Sequence, residues 1–587
     1  MRIIETPVFI VGAGPAGLSA TNLLASYGIP TLTITRYSGT ANSPRAHITN
    51  QRTMEVFRDL GIEDRMVEVS TDNAFMVNNV WATSFAGPEI ARLCSWGTGP
   101  DRQVDYKLAS PSSMCNLPQH VMEPVLLDVA RERGASFLFS TELRSVRQEG
   151  EKVISLVLDR ITGEEITVVS DWVIGCDGDN SVVFREMGFE AEGQMNLGAA
   201  MNVWLEADLT QYTAHRPGTL YWMTQPGNNY WVGSGTWICV RPWTEWVLLF
   251  MYDPAQGEPD LSEEALIARA RTTIGDDSIP IKIKSASKWT INEVAAKSMR
   301  KGRVFIAGNA AHRHPPANGL GTNTCVQDGF NLAWKLAMVI RGQAGDGLLD
   351  TYNDERRPVG EAVVQRAMKS VRGMLPISDA LGFEPGQEEA AAWANVEELF
   401  SDSAQGRARR SKLRDAVDLQ NYQFNCHGVE LGQMYASSAV IDDGSLPPEP
   451  ARDAELYYHP TTYPGASLPH AWLNQNRRQV STLDLVGKGR FTLLVGVGGK
   501  KWRAAAEKLA AVLDVDLPVV SIGGPGCDAQ DVYGTWAQLA DIGDSGCLLV
   551  RPDRHVAWRQ QDDSQAGGEA LAQVLGQILH RSVSAVA

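Results

Sequence analysis

The run Val8-Phe9-Ile10-Val11 passes directly into Gly12-Ala13-Gly14-Pro15-Ala16-Gly17, and no other stretch constrains the fold of this chain as tightly. Four apolar residues without alternation suit a strand buried on both faces of a parallel sheet. Leu18–Tyr27 then reads as a helix and Thr31–Thr35 as a second strand, which completes a βαβ unit. In that frame each glycine has a mechanical task. Gly12 makes the tight turn, Gly14 lets bare backbone approach a pyrophosphate, and Gly17 lets helix pack close to strand. Pro15 and Ala16 open the helix, whose first amides and positive dipole end face the same anion. The acid that usually ends the second strand and binds a ribose 2′-OH is missing. The chain reads Thr35-Arg36 there, and Arg36 is either a partner for adenine or phosphate or a solvated surface arginine.

A second stretch, Val304–Leu336, repeats the logic about 300 residues later. Val304-Phe305-Ile306-Ala307 reads as a buried strand, Gly308-Asn309 as its exit, and Pro315-Pro316 with Gly319 and Gly321 as a rigid, glycine-rich loop. Val326, Phe330, Ala333, Ala337 and Ile340 then recur every three or four residues. This spacing predicts an amphipathic helix beginning near Thr322–Thr324 and stopping at Gly342. A helix start behind glycines presents unpaired N–H groups, which suits an anionic or carbonyl-rich planar ligand. A third element, Trp172-Val173-Ile174-Gly175-Cys176-Asp177-Gly178, is again strand followed by glycine turn.

These elements, with Pro44-Arg45-Ala46, Arg52-Thr53-Met54-Glu55, Leu117-Pro118-Gln119 and Glu123-Pro124, resemble the single-component FAD-dependent aromatic hydroxylases with the p-hydroxybenzoate hydroxylase fold. Within that family the pattern is similar to the phenol hydroxylase and 2,4-dichlorophenol 6-monooxygenase group, over nearly the whole chain. The resemblance implies an α/β fold: a Rossmann-like FAD-binding domain, an inserted and mostly antiparallel substrate sheet, and a C-terminal thioredoxin-like domain. It implies FAD held by Gly12, Gly14, Pro15, Ala16 and Gly17, with Arg45 and Gln119 near pyrophosphate and ribityl and Asp177 and Asn309 along the cofactor; Arg36 stays a candidate from the residues alone. Pro316, Gly319, Leu320, Gly321, Thr322 and Asn323 would lie at the isoalloxazine. It also implies NADPH or NADH as a transient co-substrate bound without a second dinucleotide fold, and oxygen transfer by way of a flavin C4a-hydroperoxide. Asn309 departs from the family, which has an aspartate there for a ribityl hydroxyl; an amide keeps an acceptor oxygen and adds donors.

Aligned on Arg52-Thr53, His47 falls where the family has an aspartate that handles the phenol hydroxyl. An imidazole of ordinary pKa could accept that proton; alternatively His47 is a loop histidine bonded to backbone. From 198 to 290 alternating segments predict antiparallel strands, and seven of 16 tryptophans (204, 222, 231, 237, 243, 246, 289) fall there. They suit a planar aromatic substrate, or simply fill the core. Tyr221 and His215 are further catalytic candidates in this region, and Pro316 is a rigid wall beside the flavin.

The expected organisation places residues 1–75, 110–197 and 291–370 in the FAD domain, and 76–109 and 198–290 in the substrate sheet. Residues 371–469 are a helical and linker region. Residues 470–587 form the thioredoxin-like domain, which has no CxxC and hence no redox disulfide of that type. A net charge of −16 argues against nucleic acid as partner, and the eight cysteines show no metal-ligand spacing. No apolar run reaches the roughly 18 residues of a membrane span. The first residues run straight into a strand without a signal-peptide core. The expectation is a cytoplasmic homo-oligomer without metal that hydroxylates a phenol-like or hydroxypyridine-type ring. The alternatives are epoxidation or Baeyer–Villiger oxidation of a polyketide-like metabolite, and a flavin-binding protein without turnover.

Overall fold

The computed structural model describes residues 2–226, 235–384, 386–565 and 568–582. Arg2–Val11 is the centre of the first sheet, where Val8, Phe9 and Ile10 are wholly buried. Glu165–Gly175 pairs with it in parallel on one side and Thr31–Ile34 on the other. Val304–Ile306 adds beyond the former and Ser136–Leu138 beyond the latter, both parallel. Five parallel strands covered on both faces account for the continuous apolar runs. Each such strand residue contributes roughly 1.5–3 kcal/mol through burial of its side chain. Three of these strands end in glycine turns at the same edge: Gly12–Gly17, Cys176–Gly178 and Gly308–Ala310. In open α/β sheets the carboxyl edge is where ligands bind.

The second sheet runs Arg313–His312, Lys282–Ala296, Ala191–Glu206, Glu245–Tyr252, Gly235–Arg241, Gly218–Met223, Asn78–Ala82, Glu89–Cys94 in space. All neighbours are antiparallel except Gly218–Met223 with Asn78–Ala82. It is larger than the sequence pattern indicates. Ala191–Glu206 starts before residue 198 and Lys282–Ala296 runs past 290; the two pair from Ala191 and Ala296 inward across a bulge between Gln194 and Gly198, where the exposed residues of the first strand show no apolar period. One face packs Tyr221, Trp237, Trp246 and Phe85 with residues of the helix Glu263–Ile274. The opposite face packs Trp81, Leu220 and Trp222 with the helices Leu375–Leu381, Ala404–Leu419 and Asn421–Phe424, and with Ile48. The region expected to be helical linker therefore covers the inner face of this sheet.

Beyond residue 470 the chain forms a separate seven-stranded sheet. Its centre is Thr492–Val495, helix Lys500–Leu513 and Val519–Gly523 in parallel, followed by the antiparallel pair Cys547–Val550 and Val556–Gln560. The unit shares one apolar core with the first domain through Phe491, Leu493 and Trp334. It also closes a buried ionic cluster. Arg551 binds both oxygens of Glu355 at 2.6 and 2.8 Å and Asp553 at 2.6 Å, while Lys335 reaches Glu355 at 2.7 Å. Charges without water must be matched this closely to be tolerated. Among the described residues no helix is long and apolar enough to cross a membrane, and no cluster of three metal-ligating side chains occurs.

Candidate active site

The three glycine turns converge on one another. A Cβ on Gly12 would stand 2.2 Å from the carbonyl oxygen of Cys176, and one on Gly17 1.9 Å from that of Gly12. Both glycines are therefore demanded by the packing of the chain on itself. Gly14 differs: a Cβ there meets no protein atom within 4 Å, and its φ of −85° suits any residue. It caps the helix Pro15–Ser26, which has no side-chain cap and no acid in its first turn. What forbids a side chain at Gly14 lies on the ligand's side, which fits a pyrophosphate seated on bare amides.

Around this cradle, Asp177 accepts from the Ser181 hydroxyl (2.5 Å) and from the Val182 (2.6 Å) and Val183 amides, so its carboxylate caps its own loop. Asn309 donates from Nδ2 to Asp179 Oδ1 at 2.9 Å, which leaves Asn309 Oδ1 as the acceptor facing away from that acid. Arg36, exposed at the end of Thr31–Ile34, donates to the Tyr37 hydroxyl. The 41–46 loop is stitched to the helix Gln119–Glu132. Ala41 N–H donates to Glu123 Oε2 and Gln119 Nε2 to Glu123 Oε1 (both 2.6 Å), and Gln119 N–H donates to the Ala46 carbonyl. Burial raises the pKa of Glu123, against the hydrogen bonds from Ala41 and Gln119 and the charge of the exposed Arg45.

The loop from His312 to Asn323 is held from behind and from the side. Asp328, fully buried, accepts from Gly308 N–H (2.9 Å), His312 Nε2 and Arg356 Nε (both 2.8 Å); these partners outweigh burial and lower its pKa. Pro316 is exposed, and Asn318 and Gly319 turn through positive φ of 67° and 63°. A Cβ on Gly319 would touch Ile48 at 2.9 Å, so the loop lies directly on the 47–50 segment. Asn323 clamps the two together. Its Nδ2 donates to the Ile48 and Gly319 carbonyls (2.9 and 2.6 Å), and its Oδ1 accepts from Asn50 N–H (3.0 Å). Both Nδ2 hydrogens of Asn323 are thus committed within the protein. Its backbone N–H remains, with those of Gly321 and Thr322, ahead of Thr324, which bonds back to Leu320. Leu320 is buried beneath them.

His47 is brought to this loop by Ile48. It is half-buried, its Nδ1 lies 3.0 Å from Asn116 Oδ1, and its carbonyl accepts from Leu117 N–H. Burial lowers its pKa to about 4, against the ordinary value that the sequence suggests. His314 shares the effect, at about 4, and its Nδ1 bonds the Pro315 carbonyl. Tyr221 does not belong to the site. It is wholly buried on the face covered by Glu263–Ile274, and its hydroxyl donates to the Arg216 carbonyl at 2.9 Å. His215 is exposed next to Arg216, whose guanidinium bonds Glu89 and the Phe85 carbonyl on that same side. The strand alternation that exposes Trp222 to the inner face turns Tyr221 away from it.

The tryptophans are largely structural. Trp204, Trp222, Trp237, Trp246 and Trp289 each spend their N–H on a partner within the same sheet domain. Trp81 and Trp222 stack at 6.4 Å and 13°, backed by Phe424. Trp231 lies outside the described residues. Sequence reasoning missed Asn116, Asn318 and His314; the last two stood in the stretch Val304–Leu336 already singled out, and Asn116 just ahead of Leu117-Pro118-Gln119.

The family model described as FAD binding domain matches residues 5–367, and that described as aromatic-ring hydroxylase, C-terminal, matches 461–581. The chain is 45% identical to 2,4-dichlorophenol 6-monooxygenase of Delftia acidovorans, over 98% of each chain. It is 40% identical to phenol 2-monooxygenase of Pseudomonas sp., over 98% of this chain and 93% of that one. A crystal structure of the flavin-dependent monooxygenase PieE in complex with FAD and substrate superposes with a TM-score of 0.95 at 45% identity, covering 99% of this chain and 100% of that one. With a cradle that fits FAD and both halves of the chain matched, the chain belongs to the FAD-dependent aromatic-ring hydroxylases.

Proposed function

We propose that this hydroxylase acts on a phenol-like or hydroxypyridine-type ring, adding oxygen beside the existing hydroxyl, with His47 holding that hydroxyl. The observation that carries the reading is the Asn323 clamp, which fixes the His47–Asn50 segment against the Pro315–Asn323 loop. When bound, FAD supplies the chemistry of taking a hydride from NADPH or NADH and activating O₂. Gly14 and the amides of Pro15–Ser26 would seat the pyrophosphate, with Arg36, Arg45 and Gln119 along the adenosine and ribityl parts. Asn309 would offer Oδ1 to a ribityl hydroxyl, while Asp179 supplies the negative charge that the family carries at position 309 itself. The amides of Gly321, Thr322 and Asn323 can stabilise negative charge on the flavin's carbonyl side. Pro315-Pro316 keeps the loop rigid.

A neutral His47 near pH 7 follows from a pKa of about 4. Its part is that of a hydrogen-bond acceptor that polarises the substrate O–H and takes the proton only as the ring gains charge. The seven-stranded unit past residue 470 we read as thioredoxin-like, with a structural task in place of a redox one. A cytoplasmic location and self-association complete the reading.

The test is a panel of phenols and hydroxypyridines scored for accelerated NAD(P)H oxidation and for hydroxylated product, in wild type, His47→Ala and His47→Gln. Losing a hydrogen bond to a developing charge, about 1.5–3 kcal/mol, should lower kcat/KM for hydroxylation by roughly 10- to 150-fold in His47→Ala. His47→Gln, which keeps an acceptor oxygen, should lose less. Equal hydroxylation rates in all three proteins would place the substrate hydroxyl elsewhere.

A further inference from the structure

Asn116 is wholly buried, yet both ends of its side chain are engaged. Its Nδ2 donates to the Cys239 carbonyl at 2.9 Å, and its Oδ1 faces His47 Nδ1 at 3.0 Å. Backbone pins it from two sides. Cys115–Asn116 pairs antiparallel with Ile48–Thr49, and Asn116 exchanges both backbone hydrogen bonds with Thr71. Cys239 belongs to Gly235–Arg241 in the substrate sheet, so this one amide joins the His47 segment to that sheet.

The chemistry at each end is unequal. A carbonyl oxygen can only accept, so the amide nitrogen must face Cys239 and the amide oxygen must face His47. An amide oxygen can pair only with a protonated Nδ1. For a neutral imidazole that leaves the lone pair on Nε2, the ring atom on the far side from Asn116. The opposite amide orientation would set oxygen against oxygen at Cys239 and leave that buried carbonyl without its donor.

We propose that Asn116 is a positioning residue for hydroxylation: it fixes the His47 tautomer so that Nε2 presents an acceptor, never a donor, to the substrate hydroxyl. This rests on the reading of His47 given above. The consequence is a preference of the resting site for the neutral, O–H form of a phenol, because a phenolate would meet a lone pair. Burial, which keeps His47 unprotonated at neutral pH, works in the same direction. Without Asn116, a buried Nδ1–H would lack a partner, and the proton would move to Nε2. The ring would then donate to the ligand and favour phenolate.

The probe is 4-nitrophenol, whose phenolate is yellow, bound to FAD-loaded wild type, Asn116→Leu and His47→Ala. Wild type should bind it with its apparent pKa raised above the free value, and Asn116→Leu should bind it with the pKa lowered. Hydroxylation kcat/KM should fall roughly 2- to 10-fold in Asn116→Leu, the worth of one neutral hydrogen bond, with FAD affinity unchanged. Identical bound spectra in wild type and Asn116→Leu, with a shifted spectrum in His47→Ala, would overturn the role of Asn116 while leaving His47 in place. Identical spectra in all three would overturn the reading of His47 itself. Nitrogen NMR of wild type labelled with ¹⁵N-histidine reads the tautomer directly and needs no folded Asn116 variant. The His47 signals, identified by their loss in His47→Gln, should show a protonated Nδ1 and a bare Nε2. A protonated Nε2 would refute the proposal outright.

Discussion

Replacing Gly14 by valine should weaken FAD binding without destabilising the protein, whereas the same change at Gly12 should do both. At Gly14 a Cβ meets no protein atom within 4 Å and φ is −85°, so the apoprotein has no reason to resist a side chain. Its stability should stay within about 0.5 kcal/mol of wild type, as for a substitution away from packed groups. The valine methyls would instead stand over the opening amides of Pro15–Ser26. Displacing an anion from two charge-assisted hydrogen bonds, at about 1.5–3 kcal/mol each, costs about 3–6 kcal/mol, or roughly 10²–10⁴-fold in FAD Kd. At Gly12 the Cβ would lie 2.2 Å from the Cys176 oxygen at a φ of 111°, and the two strand ends must part. The assay is FAD titration of apoprotein by flavin fluorescence, beside thermal unfolding of the same apoprotein. Wild-type FAD affinity in Gly14→Val, or an apoprotein melting as low as Gly12→Val, would refute the division of labour among these glycines.

Arg551→Met should detach the C-terminal unit's charge lock. It leaves Glu355 and Asp553 buried with Lys335, a change worth about 3–5 kcal/mol by the usual cost of orphaning a buried ion. Thermal unfolding should show the loss, and the double variant Arg551→Met with Glu355→Gln should recover part of it. Acid should loosen the flavin loops. His47 and His314 have folded pKa values of about 4, below the unfolded value, so unfolding takes up their protons between about pH 6.5 and 4. Their contribution is intact above that window and is lost as pH falls through it, up to about 3 kcal/mol each. FAD retention measured against pH should decline there, and less steeply in His47→Gln.

The cofactor half of the molecule was legible because its signals are local. Gly12, Gly14 and Gly17 act within one turn, and the start of the helix Gly321–Ile340 follows from its glycines and apolar period. The substrate half depends on which face of a strand is covered, and by what. Alternation put Tyr221 and Trp222 on opposite faces, but only the packing of Glu263–Ile274 against one of them told which was closed. Asn116 carries no sequence signal, since its partners His47 and Cys239 lie 69 and 123 residues away. The lowered pKa of His47 has the same origin, because segments distant in sequence bury it. The polar half of Ala191–Glu206 was missed because pairing with Lys282–Ala296, rather than burial, makes it a strand.

Oxygen insertion into a phenol-type ring at the flavin can be followed atom by atom in turnover under ¹⁸O₂, with NAD(P)H and the phenol that best accelerates its oxidation. One ¹⁸O atom per product molecule is expected, placed beside the original hydroxyl, with NAD(P)H consumed in near one-to-one proportion. Oxidation of NAD(P)H that yields only hydrogen peroxide with every phenol and hydroxypyridine tried, or a product whose new oxygen comes from water, would contradict it.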